Sequence, residues 1–160
     1  MKNCTSIGVL SDTHLYSWPS DLLEKINLHF AGVELILHAG DIVNPLILDS
    51  LTAPVTAVCG NSDSSMVASS LPAKRLLTIN GFTIGLTHGY GASEDLGTRL
   101  LSLFGPLDIL IYGHTHVAAL ETNGATMLFN PGSPTRPRDG QASVGILQLH
   151  DKISAKIIRL

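Results

Sequence analysis

Residues 6–14, SIGVLSDTH, run from a short apolar stretch directly into an aspartate and a histidine. The same arrangement recurs in residues 34–41 (ELILHAGD) and residues 54–61 (PVTAVCGN). Helical patterns separate these apolar runs, at residues 19–30 and 45–51. Continuous apolar runs of this length are typical of buried strands. We therefore predict a βαβαβ unit with three parallel strands.

The second half of the chain carries the signals of antiparallel hairpins. Asn80-Gly81 and Asn123-Gly124 each separate two strand-like runs, as in a type I′ turn. Residues 150–152 separate a third pair. A helix is expected over Glu94–Phe104 and a buried strand over Leu107–Tyr112. The chain therefore predicts an α/β fold in which two mixed β-sheets pack together with helices outside.

Composition limits the class of protein. The 160 residues suit a single domain spanning residues 1–160, with 44% hydrophobic and only 14% charged residues. The net charge of −3 argues against a nucleic-acid reader or a polybasic membrane binder. No apolar run reaches membrane-spanning length, and Ile7–Leu10 is too short for a secretory signal. Cys4 and Cys59 are too few for a disulfide framework. We expect a cytoplasmic protein.

Five of the apolar runs end in residue types that bind metals. These residues are Asp12 and His14, Asp41, Asn61, His88, and His114 with His116. The carboxyl ends of strands are where α/β sheets place their sites, so these side chains are expected to meet. Each motif alone is a weak signal, but five in order are not a chance pattern.

Seven ligands exceed the needs of one tetrahedral zinc ion. They suit two divalent ions about 3.5–4 Å apart that share one carboxylate. Four imidazoles argue against an all-oxygen Mg²⁺ or Ca²⁺ site, whereas mixed nitrogen and oxygen ligands suit Mn²⁺, Fe, Co²⁺, Ni²⁺ or Zn²⁺. Such a pair activates water for hydrolysis of a phosphate ester. A dimetal aminopeptidase or amidohydrolase uses similar ligands, but we expect its strand order to differ.

The order D-x-H, G-D, G-N, H and G-H-x-H resembles the calcineurin-like metallophosphoesterase family. The resemblance extends from Ser6 to about Arg138. The short chain, Gly60-Asn61-Ser62-Asp63 and Asn130-Pro131-Gly132-Ser133 are similar to the small prokaryotic phosphodiesterases related to the phosphoesterase-fold subunit of retromer.

The resemblance implies a four-layer αββα sandwich, the metallo-dependent phosphatase fold. It implies one metal on Asp12, His14, Asp41 and His116, and a second on Asp41, Asn61, His88 and His114, with Asp41 bridging. Asp41, Asn61 and His114 are the catalytic residues that it implies. The activity implied is phosphodiester hydrolysis of a small phosphate-ester substrate by a hydroxide that bridges two ions, with Mn²⁺ favoured.

Ser62 departs from the family pattern, because many members have a histidine at this position that is thought to protonate the leaving group. A hydroxyl is a poor general acid near neutral pH, so we expect a preference for leaving groups that need little protonation. Other residues near the motifs have two interpretations each, as binding or positioning groups or as structural ones: His38, Asn44, Asp63, Tyr16, Trp18, Arg136 and Arg138.

Two alternatives to a phosphodiesterase stay open at this point. The first is a scaffold that keeps the fold for protein binding, although all seven ligand positions carry competent side chains. The second is a phosphomonoesterase. A homo-oligomer could also form through the aliphatic segment Ile153–Leu160, where Lys156 and Arg159 are charges of the kind that oppose edge pairing.

Overall fold

The computed structural model describes residues 4–160, and its ten strands form two five-stranded sheets. The strands are β1 (Thr5–Leu10), β2 (Leu35–His38), β3 (Val55–Ala57), β4 (Lys74–Ile79), β5 (Phe82–Thr87), β6 (Ile109–Ile111), β7 (Ala118–Asn123), β8 (Thr126–Pro131), β9 (Ser143–Leu149) and β10 (Ile153–Arg159). The first sheet has the order β10-β9-β1-β2-β3 and the second β4-β5-β6-β8-β7. Both sheets are mixed, as predicted.

Parallel strands occupy the part of each sheet that carries the ligand motifs. In the first sheet β2 pairs in parallel with β1 and with β3. In the second sheet β6 pairs in parallel with β5 and with β8. Antiparallel hairpins complete the sheets, with β9–β10 beside β1, β4 beside β5 and β7 beside β8. The carboxyl ends of β1, β2 and β3 therefore meet at one edge of the first sheet.

The helices are short and lie against the outer faces of the sheets. They are α1 (Ser20–His29), α2 (Ser65–Ser70) and α3 (Leu96–Leu100), together with 3-10 helices at Pro45–Ser50 and Leu101–Leu103. From α1 and its end, Ile26 and Phe30 pack on Leu10 of β1. On the other side, Leu96 and Leu100 of α3 pack on Leu110 of β6. This is the predicted αββα order of layers.

The main core lies between the two sheets. Ile7 and Val9 of β1 contact residues of β5, β6 and β8, among them Ile84, Ile109 and Phe129, and all five are fully buried. Because side chains alternate along a strand, the β1 residues that alternate with Ile7 and Val9 face α1 instead, as Leu10 does. Strand β1 therefore contributes side chains both to the core between the sheets and to the interface with α1.

Three predictions need correction. The predicted helix Glu94–Phe104 has its α-helical part only over Leu96–Leu100, because Asp95 has a left-handed backbone and the chain tightens into a 3-10 turn at Leu101. The turn of the second hairpin is Gly124-Ala125, because Asn123 still pairs with Thr126. The helix α2 was not predicted, since its sequence SMVASS has no apolar periodicity. In the described part of the chain, every helix is too short or too polar to cross a membrane.

Candidate metal centre

The strand ends bring the predicted ligands together where the two sheets meet. One ligand atom from each of Asp12, His14, Asp41 and His116 lies within 4.8 Å of the others. A second group adjoins it: His88 Nε2 is 3.3 Å from Asp41 Oδ2 and 3.0 Å from Asn61 Oδ1. His114 Nδ1 is 2.9 Å from Asn61 Oδ1. All seven predicted side chains thus belong to one continuous cluster.

Asp41 lies between the two groups. Its Oδ2 is 3.4 Å from His14 Nε2 on one side and 3.3 Å from His88 Nε2 on the other. Its other oxygen, Oδ1, accepts the backbone N–H of Ser62 at 2.8 Å. The carboxylate is therefore held in place by the loop after β3 while Oδ2 faces both sets of imidazoles.

Five of the seven predicted ligand residues have an unusual backbone. Asp12, His14, Asp41, His114 and His116 all have positive φ, between 46° and 70°. Few residues other than glycine adopt this left-handed region, and each such position costs free energy that the surrounding structure must supply. Here each lies in the turn that directly follows a strand, which aims the side chain across the strand ends. Strain concentrated on one cluster is typical of a functional site.

Hydrogen bonds to carbonyl groups fix which nitrogen of each imidazole faces the cluster. His88 Nδ1 donates to the Ala39 carbonyl at 2.8 Å, and His116 Nδ1 donates to the Arg136 carbonyl at 2.8 Å. His114 Nε2 donates to the Gly91 carbonyl at 2.9 Å. Since a carbonyl can only accept, the other nitrogen of each neutral ring presents a lone pair to the cluster.

The donor set fits a cation. In the neutral rings, the lone pairs of His88 Nε2 and His114 Nδ1 both face Asn61 Oδ1, which is itself an acceptor. Asp12 Oδ1 is buried and accepts no hydrogen bond from any described residue, although His116 Nε2 is 3.2 Å and His88 Nε2 3.8 Å away. Buried acceptors without donors are costly unless a cation satisfies them. The residues present therefore fit a metal site.

The electrostatics of the cluster favour deprotonated carboxylates. Burial alone raises the pKa of Asp12 and Asp41, but the imidazoles outweigh it: His116 and His88 lower the pKa of Asp12, and His88 lowers that of Asp41. Burial lowers the pKa of His14, whereas Asp41 and Asp12 outweigh burial and raise the pKa of His88, and the hydrogen bond to Asp12 raises the pKa of His116. Anionic carboxylates and a neutral imidazole are the protonation states in which these groups bind metals.

Residues outside the cluster hold the ligands from behind. Ser11 Oγ donates to Asp12 Oδ2 at 2.6 Å, and Ser133 Oγ donates to the Asp12 carbonyl at 2.7 Å. The carboxylate of Asp63 accepts four backbone N–H groups, including that of Asp41. Sequence reasoning did not identify Ser11, although its place directly before Asp12 is the one signal that could have done so.

Three of the residues that have two interpretations in the sequence form hydrogen bonds that give them structural roles. His38 is fully buried, 3.1 Å from Thr13 Oγ1, and its Nδ1 accepts the Gly40 N–H. Trp18 Nε1 donates to the Ile47 carbonyl. Asn44 caps the 3-10 helix that follows it, through the Leu46 N–H. The exposed side chains of Tyr16, Arg136 and Arg138 form no hydrogen bond or ion pair with the residues described.

Comparison with known proteins gives a consistent result. A probable metallophosphoesterase of Methanocaldococcus jannaschii is 43% identical over an alignment of 157 residues that covers 95% of this chain and 80% of that protein. A phosphodiesterase of the same organism is 26% identical, covering 95% of this chain and 98% of its own. Among solved structures, an archaeal phosphodiesterase superposes with a TM-score of 0.79 at 26% identity, covering 98% and 100% of the two chains.

Vps29 of Entamoeba histolytica, solved with zinc, shares the fold at 24% identity and a TM-score of 0.71, covering 97% of this chain and 99% of its own. The model of the calcineurin-like phosphoesterase superfamily domain matches residues 6–152. That match contains every motif of the cluster and every strand of the two sheets except β10 and the first residue of β1. The chain therefore belongs to the calcineurin-like phosphoesterase superfamily.

Proposed function

We propose that this protein is a dimetal phosphodiesterase that hydrolyses a small phosphate diester. The observation that carries the proposal is the convergence of lone pairs in the cluster, above all the buried Asp12 Oδ1 with no hydrogen-bond donor among the described residues. The similarity of most of the chain to named phosphodiesterases supports the choice of reaction.

We assign one ion to Asp12, His14, Asp41 and His116, and the second to Asp41, Asn61, His88 and His114. The ligand atoms of the first set lie within 4.8 Å of one another, which supports this grouping. The position of Asp41 Oδ2, nearly equidistant from His14 and His88, supports its role as the shared ligand. Mn²⁺ is the proposed native metal, with which the mixed nitrogen and oxygen donors are compatible, as they are with Fe, Co²⁺, Ni²⁺ and Zn²⁺, and the cytoplasm is the proposed compartment.

When bound, two such ions supply an activated water and neutralise charge that develops on the phosphoryl oxygens. The chain contributes the geometry. The carbonyl groups of Ala39, Arg136 and Gly91 hold the imidazoles in the tautomer that binds. Asp41, Asn61 and His114 are the proposed catalytic residues, and His114 and Asn61 lie on the accessible side of the cluster, where a phosphate can reach them.

The test uses metal-stripped protein, to which Mn²⁺ is restored. We expect hydrolysis of bis-p-nitrophenyl phosphate that depends on metal and exceeds that of p-nitrophenyl phosphate. Asp41→Asn is expected to lose at least about a hundredfold in kcat/KM, because both ions lose a shared anionic ligand. The exposed Asp49 provides the matched control, Asp49→Asn, which keeps the activity.

A second measurement separates binding from turnover. Mn²⁺ at a hundredfold excess over its Kd is expected to stabilise the wild-type fold by about 2.7 kcal/mol. Asp12→Ala removes this gain. Mn²⁺ binding without cleavage of either ester would contradict the proposal and favour a protein-binding scaffold. Faster cleavage of the monoester would instead make the protein a phosphomonoesterase.

A further inference from the structure

An apolar cleft of about 640 Å³ opens beside the metal centre, lined by Tyr16, Val43, Leu46, Ser62, Met66 and neighbouring residues. We propose that this cleft binds a neutral aromatic arm of the phosphodiester substrate and so determines its specificity. The inference rests on the proposed function, since it places one ester group next to the scissile phosphate.

Three of the eight large apolar side chains that are exposed in the described part of the chain line this cleft. Tyr16, Leu46 and Met66 are 80%, 69% and 75% exposed, and all three line it. They come from three different connections between strands, a loop, a 3-10 helix and α2, so local sequence does not force them together. Single exposed apolar residues are common on protein surfaces, but a group that lines one concave surface marks a binding site.

The cleft is lined by segments of the chain that also carry the proposed metal ligands. Each of the three connections also carries a proposed ligand: Tyr16 follows His14, Leu46 follows Asp41, and Met66 follows Asn61 along the chain. Ser62 joins the two sites directly, because it lines the cleft while its backbone N–H donates to Asp41 Oδ1. A phosphate held by the ligands would therefore direct an ester group into the cleft.

The residues that line the cleft determine which kind of ester group it can bind. All of the lining residues are uncharged, so the cleft offers no cation to a second phosphate and no anion to an amine. A tyrosine ring and a methionine thioether both make favourable contacts with flat aromatic rings. The hydroxyls of Ser62 and Ser64 add hydrogen-bonding groups at the edge. These features favour a small diester with an aryl or nucleobase arm over a polyanionic strand.

The experiment compares binding of phenylphosphonate and methylphosphonate to Mn²⁺-loaded protein by calorimetry. Both probes present the same phosphonate oxygens, so the ratio of their Kd values reports the arm alone. We expect phenylphosphonate to bind about tenfold more tightly, as burial of a ring predicts. Leu46→Ser and Met66→Ser should each reduce the ratio to about two or three without changing the Kd of methylphosphonate.

Leu28→Ser is the matched control, because Leu28 is 73% exposed on α1 and lies outside the cleft. It should leave the ratio unchanged. The same ratio of Kd values in the wild type and all three variants would overturn the inference. A preserved ratio together with a changed oligomeric state in the two cleft variants would also overturn it, because the surface would then belong to a contact with a second copy of the chain. A 5′-nucleotide compared with phenyl phosphate then distinguishes a nucleobase from a simple aryl arm.

Failure of this inference is distinguishable from failure of the proposed function. Metal-dependent cleavage of bis-p-nitrophenyl phosphate together with a Kd ratio near one would overturn the role of the cleft alone. A Kd ratio near ten that falls in the cleft variants would support that role whether or not turnover is observed.

Discussion

Asp63 Oδ2 lies 3.1 Å from the backbone nitrogen of Asp41 and accepts its N–H, so a carboxylate outside the cluster holds the shared ligand inside it. The same oxygen accepts the Gly60 N–H at 2.8 Å, and Oδ1 accepts those of Ile42 and Val43, each at 2.7 Å. Val43 has φ of 75°, which is strained for a β-branched residue. Asp63 thus offsets the strain of the loop after β2.

Asp63→Asn is expected to weaken both the fold and metal binding. The neutral amide keeps the shape but is a weaker acceptor, and its amino group faces backbone donors. We expect the free energy of unfolding to fall by about 2–4 kcal/mol and the Mn²⁺ Kd to rise about 10–100-fold. Urea titration and calorimetry measure the two effects.

The control for Asp63 is Asp108→Asn. The Asp108 carboxylate also accepts a backbone N–H, from Thr83 at 2.7 Å, but Asp108 is an exposed residue directly before β6 and forms no contact with the proposed ligands. It should lose some stability and no metal affinity. Wild-type Mn²⁺ binding in Asp63→Asn would show that the loop keeps its conformation without the carboxylate.

Gly60 is expected to tolerate no side chain. A Cβ at this position would overlap the backbone nitrogen and Oδ1 of Asp41 and lie 2.8 Å from its Cγ. Gly60→Ala therefore forces the shared ligand to move, and we expect a loss of about 1–3 kcal/mol in stability with a large loss of Mn²⁺ affinity. Gly105→Ala is the matched control, because a Cβ there meets no atom within 4 Å. Equal metal affinity in the two variants would contradict this interpretation.

Much of the fold was predictable because its signals are local. The run SIGVL before Asp12 announces a buried strand, and Asn80-Gly81 marks a turn in which both residues have positive φ, as the structure shows. The clustering of the seven candidate residues was predictable for the same reason, since each of them lies in the connection that follows a strand. What joins these pieces is the order of strands in each sheet, and that order depends on packing between distant segments.

The positioning residues were harder to predict because their partners are distant in sequence. Asp63 and Ser133 act on the loops of Asp41 and Asp12, 22 and 121 residues away. The apolar cleft was equally hard to predict, because Tyr16, Leu46 and Met66 are ordinary surface residues in the sequence and only the fold brings their three segments together. Helix α2 was missed because a Ser64 cap, and not apolar periodicity, defines its start.

His38 is expected to make stability depend on pH in the metal-free protein. Complete burial lowers its pKa from the ordinary 6.5 to about 4, and its Nδ1 already accepts the Gly40 N–H. The folded state therefore binds this proton less readily than the unfolded state. The contribution is present above pH 6.5 and is lost as the pH falls to about 4, by about 3 kcal/mol in all.

Urea titrations in chelator between pH 7.5 and pH 4 measure this loss. His38→Gln should be less stable at pH 7.5 but should show a shallower decline on acidification. His29→Gln, at an exposed position on α1, should decline as the wild type does. Parallel curves for His38→Gln and the wild type would mean that other groups, such as His14, cause the acid sensitivity.

Ser62 is expected to make the reaction sensitive to the leaving group. It occupies an exposed position beside Asn61, and its hydroxyl is far too weak an acid to protonate a departing alkoxide near neutral pH. For a series of aryl methyl phosphates, kcat/KM should therefore fall steeply as the pKa of the aryl alcohol rises. Ser62→His supplies an acid whose pKa lies near the working pH. It should flatten that dependence and increase kcat/KM most, by about 10²-fold, for the poorest leaving group.

Ser69→His, on the exposed face of α2, tests whether any added histidine has this effect. A flat dependence in the wild type would show that another group already protonates the leaving oxygen, and the accessible His114 would be the first to replace.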